Sequence, residues 1–161
     1  MPWLMKTEPE EYGLDDLRAA GVGRWDGVRN YAARNHMRAC AVGDAVFIYH
    51  SGKSPQIVGL AEVARAAYPD PAQFDPASAT FDAKSSPDDP RWSALDLRYV
   101  AHLVVPVPLS TLKTDPRLAD LALLRQSRLS VSPVSEAHFE LIVSLGGGKA
   151  PAAAPATEKR G

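Results

Sequence analysis

The longest alternation of apolar and polar positions in the chain runs through Leu95, Leu97, Tyr99, Ala101, Leu103 and Val105. It predicts a long strand with one core face. Pro106 and Pro108 are expected to end its pairing, because proline brings no ladder N–H. Trp3-Leu4-Met5-Lys6 predicts a first strand with Trp3 and Met5 on one face and Leu4 and Lys6 on the other. Ala45-Val46-Phe47-Ile48-Tyr49-His50, apolar and rich in β-branched and aromatic residues, predicts a buried strand. Residues 57–66 predict another, with Gly59 marking a bulge or a close backbone approach, and 128–132 a short one. Helical signals are shorter. Residues 15–20 place acids early and Arg18 late, and Gly21 and Gly23 stop them. Residues 30–39 favour helix, with Asn30, Arg34 and Arg38 on one face. Residues 110–113 and 116–124 read as short helices. Ser135 caps a last one to Leu145, whose buried stripe is Phe139, Ile142, Val143 and Leu145.

The connection from 68 to 91 has no periodicity and exceeds ordinary loop length, with Trp92 expected as a core plug just past it. Three glycines then close the fold. Residues 146–161 are expected to be a disordered Gly/Ala/Pro tail, leaving one domain over 1–145. Strands of unequal length with short helices at the connections predict an α+β domain around a curved sheet or small barrel.

At 161 residues the chain suits a single domain. Its formal charge of −1 provides no broad basic face, so any grip on nucleic acid has to be local. The single Cys40 excludes an internal disulfide and a cysteine-based zinc site. The start of the chain lacks the features of a signal peptide and nothing approaches a membrane span. A soluble, cytoplasmic protein without membrane contact is expected, monomeric rather than oligomeric.

One stretch departs from ordinary core or surface composition. Residues 24–35 hold Trp25, Tyr31, Asn30, Asn35 and three arginines. With Arg38 included, four arginines face one aspartate, Asp26, a local charge of +3 in a nearly neutral chain. Flat rings, planar cations and short amide arms suit an aromatic ligand with a charged backbone, such as a nucleotide. The competing reading makes Trp25 a core residue and the arginines a solvated helix face.

Enzyme motifs fail one by one. Ser51-Gly52-Lys53-Ser54 suggests a phosphate loop, but Phe47 stands where the first glycine is required. Gly21 and Gly23 lack a third glycine at Asp26, and there is no GxSxG. His36, His50, His102 and His138 lack metal-ligand spacing, and one cysteine cannot make a zinc deaminase. His50 and Ser51 point to opposite faces of a strand and cannot pair as base and nucleophile. A non-catalytic protein with no cofactor and no metal is expected.

Several segments together resemble a known family, the EVE domain. They are Trp3-Leu4-Met5-Lys6-Thr7-Glu8-Pro9, Trp25-Asp26-Gly27-Val28-Arg29-Asn30-Tyr31, Ala33-Arg34-Asn35, Phe47-Ile48-Tyr49-His50-Ser51, Gly59-Leu60-Ala61-Glu62-Val63, Asp89-Pro90-Arg91-Trp92 and the run from Arg128 to Val134. They occur in order over nearly the whole chain. The resemblance implies a PUA-like fold, a curved β-sheet pseudobarrel with peripheral helices, related to YTH and ASCH domains. It also implies DNA or RNA as partner and a pocket for a single flipped, modified nucleobase. Gln126 departs from the family, which often carries a basic residue or glycine in that loop.

A base taken out of its stack needs new faces, worth roughly 1–3 kcal/mol, and partners for its edge. Trp25, Tyr31 and Tyr49 are the candidate faces; Asn30, Ser51 and Ser130 the edge readers; Arg29, Arg34 and Arg128 the phosphate holders. Lys6 and Glu8 sit at a strand end where they can position the pocket, and Val28 and His50 complete the candidate set. His50 also suits a satisfied structural histidine, and Trp3 suits either core or pocket. Two other readings stay open: a nucleoside-like small-molecule or enzymatic module, and an accessory domain for a protein partner.

Overall fold

The computed structural model describes residues 1–148 of the 161. Six strands form one mixed sheet in the order β2-β5-β4-β3-β1-β6. They are β1 (Trp3–Thr7), β2 (Val22–Trp25), β3 (Ala45–His50), β4 (Gln56–Pro69), β5 (Ser93–Pro108) and β6 (Val131–Pro133). β1 and β3 run parallel, and the other neighbouring pairs are antiparallel. Six helices accompany the sheet: α1 (Pro9–Tyr12), α2 (Leu14–Ala20), α3 (Tyr31–Ala39), α4 (Leu109–Thr114), α5 (Ala122–Arg125) and α6 (Glu136–Leu145). The class is α+β and the sheet is curved, as the sequence predicts. No helix among the described residues is long and apolar enough to cross a membrane.

The two-residue period of a strand explains the layering. β1 sends Trp3 and Met5 into one core and Leu4 into another; β3 sends Val46 and Ile48 to the first and Phe47 and Tyr49 to the second. A sheet buried on both faces needs strands that are apolar throughout, which is how β3 reads. α2 and α3 cover the first face through Leu14, Leu17, Ala33 and Met37, and α6 covers the second through Phe139, Ile142 and Val143.

Curvature comes from β4 and β5. Their ladder shifts register at four places, and each bulge bends and twists the strands. The same bulges change which residues face inward. Leu95, Leu97 and Tyr99 meet the first core, but past the shift Val100 and Leu103 meet the second, and Val105 is 52% exposed. The single core face expected over 95–105 therefore lasts only half the strand. Nor do the prolines end it. Val107 pairs with Ile57 and Pro108 with Gln56, while Pro106 falls inside a register jump where β4 asks for no N–H.

Other differences are local. β2 has no sequence signal of its own: it is short and mostly exposed, and it forms because β5 offers Leu95, Asp96, Leu97 and Arg98 as a free edge. The helix predicted over 116–124 breaks into a 3₁₀ turn, Pro116–Leu118, and α5. Leu118, Leu121 and Leu123 all reach the second core, a set too spread for one straight helical face. β6 begins three residues later than predicted, leaving 126–130 as a turn. Gly146 to Gly148 also belong to the ordered body. Gly146 is packed against Leu103, and its carbonyl accepts the Val105 N–H at 3.0 Å. The remainder of the tail expectation, 149–161, lies outside the described residues.

α2 is fastened to the sheet at its first turn. The Leu14 N–H donates to His50 Nε2 at 3.1 Å. On the outer side the Tyr99 hydroxyl accepts the His102 N–H at 3.0 Å and lies 2.7 Å from His102 Nδ1, while His102 Nε2 lies 2.8 Å from Asp15.

Gly59 marks both a register shift and a close approach. A Cβ there would run into Leu14 Cδ2 and the Ala101 carbonyl oxygen. We expect Gly59→Ala to cost about 1–3 kcal/mol in chemical denaturation, since neither backbone nor buried leucine can yield freely. A midpoint unchanged from the parent would contradict this packing.

Candidate nucleic-acid interface

α3 starts where Asn30 leaves the extended region, and Asn30 Oδ1 accepts the Ala33 N–H at 2.9 Å. That cap uses the amide oxygen, so Asn30 has only its NH₂ group to give a ligand. The N–H groups of Tyr31 and Ala32 have no acceptor inside the helix. Facing this helix end is the 126–130 turn, closed by the Leu129 N–H on the Gln126 carbonyl at 3.0 Å. The end of β1 holds that turn. The Lys6 N–H donates to the Ser130 carbonyl at 2.9 Å, and Lys6 Nζ donates to the Ser127 carbonyl. Burial pushes the Lys6 pKa below its ordinary value.

Between the helix end and the turn lies a concavity of about 330 Å³, lined by Asn30, Ala32, Gln126, Ser127, Arg128 and Leu129. Its size falls at the lower end of small-ligand sites, which span roughly 300–1,000 Å³. The lining offers a guanidinium, two amides, a hydroxyl and the apolar surfaces of Ala32 and Leu129. It contains no carboxylate, and Arg128 has no acidic partner among the described residues. Such a hollow accepts an anion or an electron-rich ring edge without repulsion. A second hollow of about 400 Å³ opens beside Pro55, Pro108, Leu109 and Lys113, and none of the residues expected in the site lines it.

The rings expected to wall a base pocket are placed elsewhere. Trp25 is 7% exposed, belongs to the first core and meets Tyr12 edge-on at 6.1 Å. Val28 packs against the same core. Tyr49 is buried in the second core, with Lys6 Nζ 5.9 Å from its ring centre. Tyr31 is half exposed but stacks on Trp92 at 4.8 Å and 26°, too close for anything between them. Arg34 lies over Tyr31, 4.8 Å from its centre, and Arg29 over Trp92, 5.6 Å from its centre, so each ring of the pair also has a guanidinium against it. Trp92 is the buried plug expected, with Nε1 on Asp82 at 2.7 Å.

Arg29 is committed to a carboxylate rather than to phosphate. Its Nη1 donates to Asp70 at 2.9 Å, and its Nε to the Thr80 carbonyl at 2.9 Å. Asp70 is fully buried and also accepts the N–H groups of Gly27 and Ala72. Gly27 has φ = 77°, a left-handed conformation that only glycine adopts readily.

Glu8, His50 and Ser51 gather at the ends of β1 and β3, apart from the concavity. Ser51 Oγ donates to Glu8 at 2.9 Å. His50 accepts from Leu14, so its Nε2 is unprotonated, and burial lowers its pKa below 6.5. This is the structural role, not the pocket role. Of the predicted residues, the structure brings Asn30 and Arg128 to the concavity, with Lys6 and the Ser130 carbonyl bracing it. Ala32, Gln126, Ser127 and Leu129 were missed. Their one sequence signal was a polar pair, Gln126-Ser127, ahead of Arg128. Among the described residues no three His, Cys, Asp or Glu side chains converge to hold a metal.

The EVE domain family model matches residues 2–145. The chain belongs to the EVE domain family. Mouse thymocyte nuclear protein 1 is 39% identical over 163 residues, covering 89% of this EVE domain chain and 72% of its relative. A crystal structure from Pseudomonas putida is 46% identical with a TM-score of 0.88, over 91% of this chain and 99% of that one. The crystal structure of human THYN1 protein in complex with 5-methylcytosine-containing DNA has 35% identity and a TM-score of 0.88, over 92% and 99% of the two chains.

Two outcomes follow from this geometry. Asp70→Ala leaves Arg29 without its counter-charge and frees the Gly27 N–H; we expect a loss of roughly 3 kcal/mol in urea unfolding, and a loss under 1 kcal/mol would contradict the role. For His50 the folded pKa is the depressed one. Its contribution is therefore full above the unfolded value and is lost as pH falls. Between about pH 7.5 and 5 the wild type should lose more stability than His50→Gln, which keeps an acceptor that does not titrate. Parallel stability curves for the two proteins would refute it.

Proposed function

We propose that this EVE domain is a non-catalytic DNA-binding module that receives one flipped, modified nucleobase in the concavity between the start of α3 and the 126–130 turn. The observation that carries the reading is the human THYN1 complex with 5-methylcytosine-containing DNA, a protein similar to this one over nearly its whole length. The concavity supports it by size and by a lining free of carboxylates.

The base, expected between aromatic rings, is placed instead against Ala32 and Leu129. The NH₂ group of Asn30 and the hydroxyl of Ser127 address its edge, and Arg128 the adjoining phosphate. Giving up aromatic stacking forfeits roughly 1–3 kcal/mol, so affinity has to lean on the phosphate contacts. Discrimination is then modest. A buried methyl group gains about 0.8 kcal/mol, close to fourfold in affinity.

The test is a fluorescence-anisotropy titration of duplexes carrying 5-methylcytosine, 5-hydroxymethylcytosine or plain cytosine. Methylated DNA should bind about fourfold tighter than plain. Asn30→Ser keeps a helix-capping oxygen but removes the amide donor, and should weaken binding by about 1 kcal/mol, roughly fivefold. Equal binding of methylated and plain duplexes, or free methylated nucleoside competing as well as DNA, would refute the proposal.

A further inference from the structure

Beside the 90–93 segment, α3 carries Arg34 and Arg38, one helical turn apart. Both guanidinium groups are fixed by neutral partners. Arg34 donates to the Arg91 carbonyl at 3.0 Å and to Asn35 Oδ1 at 2.7 and 3.1 Å. Arg38 donates to Ser93 Oγ at 3.0 Å and to the carbonyls of Pro90 and Arg91. Neither has a carboxylate within ion-pair distance among the described residues, whereas Arg24, Arg29, Arg98, Arg117 and Arg125 each do. Asp89 acts on Arg38 only from farther off, and Arg34 repels it. Two like charges held side by side without a counter-ion favour a bound anion, and rigid donors lose little entropy in binding one.

Position selects the anion. Arg34 and Arg38 are held by the 90–93 segment, whereas the concavity is walled across from α3 by Gln126 to Leu129, so the two sites border different segments. Each nucleotide of a bound strand brings one phosphate, so a strand seated at the concavity carries further phosphates to either side of the entering base.

We propose that Arg34 and Arg38 form a DNA-backbone contact, holding phosphates that flank the base entering the concavity. This rests on the DNA-binding reading and adds a surface that does not distinguish methylated from plain DNA.

The experiment measures affinity against salt concentration for wild type, Arg38→Gln and Ser93→Ala, on methylated and plain duplexes of the same sequence. Arg38→Gln should weaken both duplexes by the same factor and reduce the slope of log K against log salt by about 0.9. Ser93→Ala unclamps Arg38 but keeps its charge, and should leave the slope unchanged. An Arg38→Gln slope equal to wild type, a Ser93→Ala slope as low as that of Arg38→Gln, or an effect confined to methylated DNA would overturn the assignment. Failure of the underlying reading looks different: wild type would bind neither duplex, or both equally.

Discussion

Everything near the site depends on one buried carboxylate. Asp70 is fully buried and is satisfied by Arg29, by the Gly27 N–H and by the Ala72 N–H. A lone carboxylate in that place would be costly, so the three donors have to be where they are. The segment after β2 is thereby tied to the long connection between β4 and β5. Once Arg29 is fixed, it lies against Trp92, Trp92 against Tyr31, and Tyr31 against Arg34. The start of α3 is therefore set by contacts on its far side, and Asn30 and Ala32 reach the concavity as a consequence.

The opposite wall has its own anchor. Lys6, next to last in β1, uses both its backbone N–H and its ammonium to hold the 126–130 turn. β1 is hydrogen-bonded on both sides, to β3 and to β6, so this anchor stands on the interior of the sheet. A concavity whose two walls are fixed independently is largely pre-formed. Less ordering is then required on binding, which favours affinity from few contacts. Cys40, by contrast, is buried with its thiol pKa pushed up to about 12, which makes it a packing residue rather than a reactive one.

The parts of the fold written in local pattern were legible in the sequence. β1 followed from a period-two run, β3 from an unbroken apolar run, α3 from the four-residue spacing of Asn30, Arg34 and Arg38, α6 from Ser135 as a cap, and Gly59 from its place inside a strand. The parts set by distant partners were not. Arg29 and Asp70 are 41 positions apart, and nothing near either names the other. Trp25 looked like a free ring because its neighbours are polar; only the pairing of β2 with β5 turns it into the core. Likewise the register shifts in β4 and β5 erase the long alternation, since a bulge depends on two strands at once. The site was half legible for the same reason. Asn30 and Arg128 stood out chemically, whereas Gln126, Ser127 and Leu129 matter only because a lysine from the other end of the chain folds their turn into place.

The central claim is that DNA enters between the start of α3 and the turn braced by Lys6. Amide chemical-shift mapping by NMR, with a duplex carrying 5-methylcytosine, tests it most directly. The account predicts that the largest shifts fall at 30–32 and 126–130. Largest shifts at 54–56 and 108–113, with those two segments unmoved, would contradict it.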